Sequence, residues 1–319
     1  MRRSSSTSRQ IVYLALLGDL LVALTKGMAA ALTGSAAMLS EAIHSLVDSA
    51  NEALLLHGYR MAVRRPDSLH PLGYGRELYF WSFIVALMLF GLGAGVSLYE
   101  GVQHILTPRK IDRPYVNYIV LACAFAFESV SWHAAFRKLQ ATRGDVGYWD
   151  AVHKSKDPPF FMVLFEDSAA LLGIIIAALG IFLSQRLALP VLDGVASVMI
   201  GLVLACAATI LAIESKSLLI GEQASPVLIS AAIALALEER GIVSANGAFT
   251  VHLSPDQIVV ALSVEFSEEL RSLEIEHRVE SIETRIRNAH PEIVALFIKP
   301  QTRQRFEQWK TMHYGRAEI

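Results

Sequence analysis

The chain has 319 residues, 53% of them apolar and only 18% charged, with a net charge of −2 and two cysteines. A soluble chain carries about a quarter charged residues. Here the shortfall is uneven, since residues 78–107 hold a single charge, Glu100, and residues 222–300 hold 18. That split predicts a membrane half followed by a soluble half. It excludes a cystine scaffold, a zinc ribbon and an ordinary cytosolic enzyme, and the near-neutral balance gives no nucleic-acid partner.

Six stretches, near 10–32, 36–58, 79–105, 114–136, 160–184 and 190–213, are long enough to supply the ~20 helical residues that cross a hydrocarbon core. The first is too long for a signal peptide, and a second span follows almost at once. Residues 1–9 precede the bundle, which extends to about residue 217. Counted with the N-terminus inside, the inner segments carry Arg2, Arg3, Arg9, Arg60, Arg64, Arg65, Arg76, Arg137, Lys138, Arg143, Lys154 and Lys156. The outer loops carry Arg109, Lys110, Arg113 and Arg186. Twelve against four places both termini in the cytoplasm.

Span two carries Glu41, His44, Asp48, Asn51 and Glu52 along one helical stripe. Three carboxylates facing lipid would cost roughly 2.5–3.5 kcal/mol each, so the stripe faces an interior. His44 and Asp48 lie one turn apart, and an imidazole with a carboxylate suits a borderline divalent cation such as Zn²⁺. The alternative for that pair is a polar helix contact without metal. In span five, Glu166 and Asp167 are about 100° apart on the helix, so one faces a site shared with span two and the other needs its own partner. A protonated Glu166 bonded to a neighbouring helix is one reading. Asp19 and Lys26 share a face of span one and read as a structural pair or part of a structural network. Asp193 reads as a carboxylate at its own helix entrance, and Glu128 as a further group lining the interior with Asp167.

With these residues in place, the chain resembles the cation diffusion facilitator family of six-span zinc-transporter-type antiporters. The resemblance rests on HSLVD (44–48), on the acidic motif ending at Asp167, on RPDSLHPLGYGRE between spans two and three, and on a small domain after span six. SEAIHSLVDSAN, HPLGYG and VLFEDSAALLG are similar to the mitochondrial-type ninth zinc-transporter subgroup and its bacterial relatives. The resemblance implies four ligands, two from span two and two from span five. His44, Asp48 and Asp167 match, but the fourth position is Val163, which cannot ligate. Water, Glu166, Asn51 or Glu128 are the candidates to complete the shell. The resemblance also implies a second, loop site at Asp67 and His70. Tyr74 replaces a ligand there, and a turn without metal is the preferred reading.

Beyond the bundle, residues 226–240 read as a helix starting at Ser225. Residues 248–253 and 257–266 read as strands around a turn, 271–289 as a helix and 293–299 as a strand. This αββαβ order makes a small α+β layer, a ferredoxin-like cytoplasmic domain over 218–300, with 301–319 as a tail. The resemblance implies that such a domain dimerises and in some members senses metal. Here His277 matches one sensing ligand, while Phe297 and Lys299 replace two others, which predicts dimerisation without a zinc cluster.

The expectation is therefore an α-helical, multi-pass membrane protein, with a bacterial inner membrane as its default site. It would be a homodimer joined through the cytoplasmic domain and membrane helices. It would exchange a divalent metal, zinc first and manganese, iron or cobalt as alternatives, for protons, with no resident cofactor. HExxH and GxSxG are absent, so no enzyme is predicted. A non-transporting membrane sensor or scaffold is the competing class.

Overall fold

The computed structural model describes residues 4–111, 113–144, 147, 148, 151 and 155–314, with backbone alone for 4–18, 142 and 314. Arg2, Arg3, Lys154 and the side chain of Arg9, all used in the charge balance, lie outside it. The chain forms two compact units. One runs through Met61 and resumes over Glu77–Lys216; the other joins Ala62–Arg76 to the chain from Ser217 onward.

The first unit is built from α1 (Ser4–Thr33), α2 (Ala36–Ala62), α3 (Glu77–Leu106), α4 (Pro114–Thr142), α5 (Pro158–Arg186) and α6 (Val191–Ile220). Prolines mark three of the starts. Pro114 and Pro158 occupy first-turn positions, where a missing N–H costs no hydrogen bond, and Pro190 precedes α6. Among the described residues, four helices, α3 to α6, are by themselves long and apolar enough to cross a bilayer. α2 carries Glu41, Asp48 and Glu52 within its central turns, and α1 has described side chains only from Asp19. The expected third span is interrupted by a π-helical turn, Leu89–Ala94, in the glycine-rich run LFGLGA. Single π turns of this kind widen a helix locally.

α1 and α2 are joined by Gly34 and Ser35 alone. Gly34 has φ +68° and its N–H donates to Ala30 O at 2.8 Å, a helix-terminating conformation that glycine adopts without strain. α3 and α6 approach backbone to backbone: a Cβ on Gly101 would lie 2.7 Å from Val198 N. Small residues permit such close crossings where no hydrophobic force operates between helices.

The second unit contains α7 (Pro226–Leu237), β1 (Ile242–Ser254), β2 (Gln257–Phe266), α8 (Ser272–Ala289), β3 (Ile293–Pro300) and α9 (Arg303–Tyr314). The sheet order is β1-β2-β3, with β1–β2 antiparallel and β2–β3 parallel. Ser225 caps α7, its Oγ accepting from Leu228 N–H at 3.2 Å. Alternate residues of β2, Ile258, Val260, Leu262 and Val264, meet Leu228, Ala232 and Ala236 of α7 and Ile282 and Ile286 of α8 in one core. Each fully buried Ile, Leu or Val stabilises the layer by roughly 1.5–3 kcal/mol. β1 is longer than the sequence pattern suggests, because bulges break its alternation between Ile242 and Gly247.

Residues 303–314, expected as tail, form α9 instead. Phe306 is buried over Gly247, and Trp309 meets Phe249 at 4.5 Å between ring centroids. Ala248 packs toward the core, so its neighbours Gly247 and Phe249 point to the opposite face. α9 therefore covers part of the sheet face that a one-sided layer would leave bare. The 62–76 loop belongs to this unit as well: a Cβ on Gly75 would lie 2.9 Å from Leu253 O, so no larger residue fits there without a shift. His277 is exposed on α8, and Phe297 and Lys299 are exposed on β3.

Candidate metal centre

α2 turns its polar stripe inward. Glu41, His44 and Asn51 have no exposed surface, and Asp48 keeps 23% of its side chain accessible. His44 Nδ1 lies 3.4 Å from Asp48 Oδ1. That is an ion-pair distance without hydrogen-bond geometry, and both imidazole nitrogens and Asp48 Oδ1 are buried without a hydrogen-bond partner. On α5, Asp167 accepts from the Ser131 hydroxyl of α4 and leaves Oδ2 unpartnered.

Asp48 and Asp167 open into one cavity of ≈180 Å³. Its wall also includes Glu128 of α4, Glu52 of α2, Asp19 of α1, and Glu166 and Val163 of α5. Glu128 thus lines the interior with Asp167, and Val163 adds methyl groups to the same wall. His44 is not part of the cavity wall; it lies on the same stripe, 3.4 Å from Asp48. Among the described residues, no three His, Cys, Asp or Glu side chains are gathered closely enough to hold an ion. The donors surround a space rather than a point.

Glu166 takes the second role foreseen for the adjacent acids. It is buried and its Oε1 accepts from Asn51 Nδ2 at 2.8 Å, tying α5 to α2. Asn51 Oδ1 has no hydrogen-bond partner.

One reading of the buried charges is corrected and another is extended. Lys26 does not pair with Asp19: its ammonium donates to Glu41 Oε2 at 3.1 Å and to Ser45 Oγ at 2.7 Å, while Asp19 hydrogen-bonds to Glu52. The two-residue α1–α2 connection explains both contacts. An antiparallel hairpin sets Asp19 beside Glu52 and Lys26 beside Ser45, at matching distances from the turn, and a seven-residue spacing on one helix cannot compete. The shortness of that connection was the signal available in the sequence. Asp193 stands in the first turn of its own helix, as expected, and its carboxylate also caps the start of α2. Ser35 Oγ donates to its Oδ1 at 2.7 Å and Ala36 N–H to its Oδ2 at 2.6 Å. Buried N–H groups at a helix start attract an anion from wherever the fold can supply one.

In the loop, Asp67 Oδ1 accepts from the N–H groups of Leu69 (3.0 Å) and His70 (2.7 Å), and Oδ2 accepts from Tyr74 Oη at 2.6 Å. The Tyr74 hydroxyl, then the turn N–H groups, hold the Asp67 carboxyl below the usual carboxylate range. Tyr74, where the resemblance implies a ligand, donates a hydrogen bond to Asp67.

A family profile described as the cation efflux transmembrane domain matches residues 12–220, more than half of the chain, and the protein belongs to the cation efflux family. Among its relatives are the human mitochondrial proton-coupled zinc antiporter SLC30A9, 35% identical over 196 residues, which cover 61% of this chain and 34% of the relative. Metal tolerance protein C4 of Arabidopsis thaliana is 31% identical over 191 residues, 59% of this chain and 42% of the relative. Magnetosome protein MamM of Paramagnetospirillum magneticum is 30% identical over 133 residues, 41% of each. The chain thus spans about a third of the length of the zinc antiporter and under half of the other two.

Proposed function

We propose that this protein exports a divalent metal ion, zinc first, from the cytoplasm in exchange for protons. One observation carries the reading: Asp48 of α2 and Asp167 of α5, on different helices, open into one carboxylate-lined cavity inside the bundle. Buried carboxylates with free oxygens are expensive in a membrane unless they serve an ion pathway. Their ligand form is ionised and that of His44 is neutral, so metal binding displaces protons, and the same donors serve both ions in turn. Zinc as cargo draws support from the similarity to a zinc antiporter.

All six helices cross the bilayer in this reading, with both termini cytoplasmic on the Lys and Arg balance and a bacterial inner membrane as the setting. Alternating access then moves the helices that carry the donors. The present spread of donors around a cavity becomes an ion-sized shell only when they draw together. Val163 leaves a coordination position to water, which admits manganese, iron or cobalt beside zinc. The 218–300 domain makes the homodimer and carries no sensing cluster. The test is metal uptake into sealed proteoliposomes with an imposed pH gradient, run over a panel of divalent ions. Uptake that follows the gradient and is lost in Asp48→Ala supports the reading. A panel in which no ion responds to the gradient refutes it.

A further inference from the structure

The cavity does not account for all the open donors of α2. Glu41 lies two turns from Asp48 toward the α1–α2 connection, roughly 10 Å along the helix, and has no exposed surface. Its Oε2 holds Lys26, while its Oε1 is buried without a hydrogen-bond partner. Between Glu41 and Asp48 stands His44, equally enclosed, with both nitrogens unpartnered. Glu41 and His44 are three residues apart, and His44 and Asp48 four, so the three side chains form one continuous row.

The surroundings of Glu41 are close-fitting. Gly173 of α5 lies directly against its carboxylate, with no room for even a methyl group. Lys26, also without exposed surface, makes its second bond to Ser45, which is one turn from Glu41 and next to His44. A buried ammonium therefore sits beside the row of donors. A buried ion pair is weak evidence for stability, because desolvation offsets much of the attraction, and nothing in helix packing requires one here. An ammonium and a divalent ion, however, are alternative partners for the same carboxylate.

We propose that Glu41 is a further ligand of the transported cation, occupied by the Lys26 ammonium in the metal-free bundle and surrendered to the metal as it passes outward from Asp48 through His44. The ammonium keeps Ser45 Oγ as its acceptor during the exchange and returns to Glu41 when the ion leaves. Lys26 is then a positioning residue: it shields a carboxylate that would otherwise trap the metal, and its return favours release. This inference rests on the export reading, and its test separates the two.

The measurement is zinc transport in proteoliposomes, resolved into KM and kcat, with zinc binding titrated on the same purified proteins. The decisive variant is the double substitution Lys26→Met with Glu41→Gln, which leaves no unpaired buried charge and so keeps the bundle folded. The expected result is a kcat about tenfold below wild type with KM and zinc affinity at the cavity little changed, the signature of a lost later step. Lys26→Met alone frees Glu41 and is expected to lower both KM and kcat, because the metal binds more tightly and leaves more slowly. A double variant with wild-type kcat would show the pair to be structural and overturn the inference while leaving export intact. Wild-type protein that moves no divalent ion would instead overturn the export reading itself.

Discussion

Each half of this protein buries acidic side chains, and treats them in opposite ways. Glu239, at the end of α7, is 7% exposed and fully engaged. Its oxygens accept from Arg278 (2.9 Å), Arg285 (2.9 Å) and Ser281 (2.7 Å) of α8. In the bundle, Glu41, Asp48 and Asp167 each keep a buried oxygen without a hydrogen-bond partner, as do His44 and Asn51 at their ring and amide atoms. Among the described residues of the soluble unit, the only such buried side-chain atom is Arg278 Nε. Native proteins satisfy nearly all buried polar groups, so the open carboxylates of α2 and α5 stand out from the engaged one of α7. The engaged carboxylate joins two elements; under the export reading proposed above, the open ones serve an ion.

The sharpest way to break this contrast is to remove the open carboxylates. Asp48→Ala and Asp167→Ala are each expected to reduce metal transport by about 100-fold or more, since even outer-shell partners of metal ligands are worth 10–100-fold. The folded bundle should persist, because neither lost oxygen set is a structural anchor. Transport assays paired with size-exclusion profiles decide it, and a variant that transports at the wild-type rate would remove its residue from the site.

The satisfied carboxylate should fail differently. Glu239→Ala is expected to lower stability by ~1–3 kcal/mol, the range for hydrogen bonds to a charged group, with transport chemistry untouched. The Ser281 hydroxyl, followed by the two guanidiniums, holds the Glu239 carboxyl below its usual range. A depressed folded-state value means that the stabilisation is fully present above the unfolded value of about 4.3. It is lost as pH falls through the folded value. Hydrogen exchange in α8 and β2 of the full-length protein should therefore separate wild type from variant at pH 7 and merge them in acid. A difference that grows on acidification would contradict the assignment.

Val163 sharpens the same comparison from inside the cavity. Val163→His places an imidazole one turn before Asp167 on the same face. It is expected to tighten zinc binding roughly tenfold and to narrow the range of metals toward tetrahedral ions. Slower turnover should accompany the tighter grip. Competition binding checks this, with Glu166→Gln and Glu128→Gln alongside. Weaker zinc binding in Val163→His, together with a large loss in either glutamine variant, would mean that a fourth protein ligand is already in place.

The smallest effect belongs to the loop. Asp67→Asn should leave metal transport within about twofold, because the Asp67 oxygens are taken up by Leu69, His70 and Tyr74. A transport loss approaching that of Asp48→Ala would restore the loop as a metal site.

Periodicity and charge made much of this protein legible in advance. Apolar length set the positions of α3 to α6, whose observed bounds lie within a few residues of those expected, apart from helical extensions at the C-terminal ends of α4 and α6. Alternation marked β2, whose even-numbered residues form the core, and Ser225 announced the start of α7 through local capping chemistry. These signals are visible because they arise from a residue and its neighbours within a turn or two. The inward direction of the α2 stripe was legible for a similar reason, since the expense of exposing carboxylates to lipid leaves few choices. What tertiary structure decided was partnership. Lys26 chose Glu41 over Asp19, Asp193 reached across to the first turn of α2, Asn51 took up Glu166, and residues 303–314 coiled onto β1 to bury Phe306. Each of these depends on which surfaces the fold brings together over tens to hundreds of residues. A charge has no sequence period that points to its partner, and its energy is settled only by distance, burial and competing donors in three dimensions.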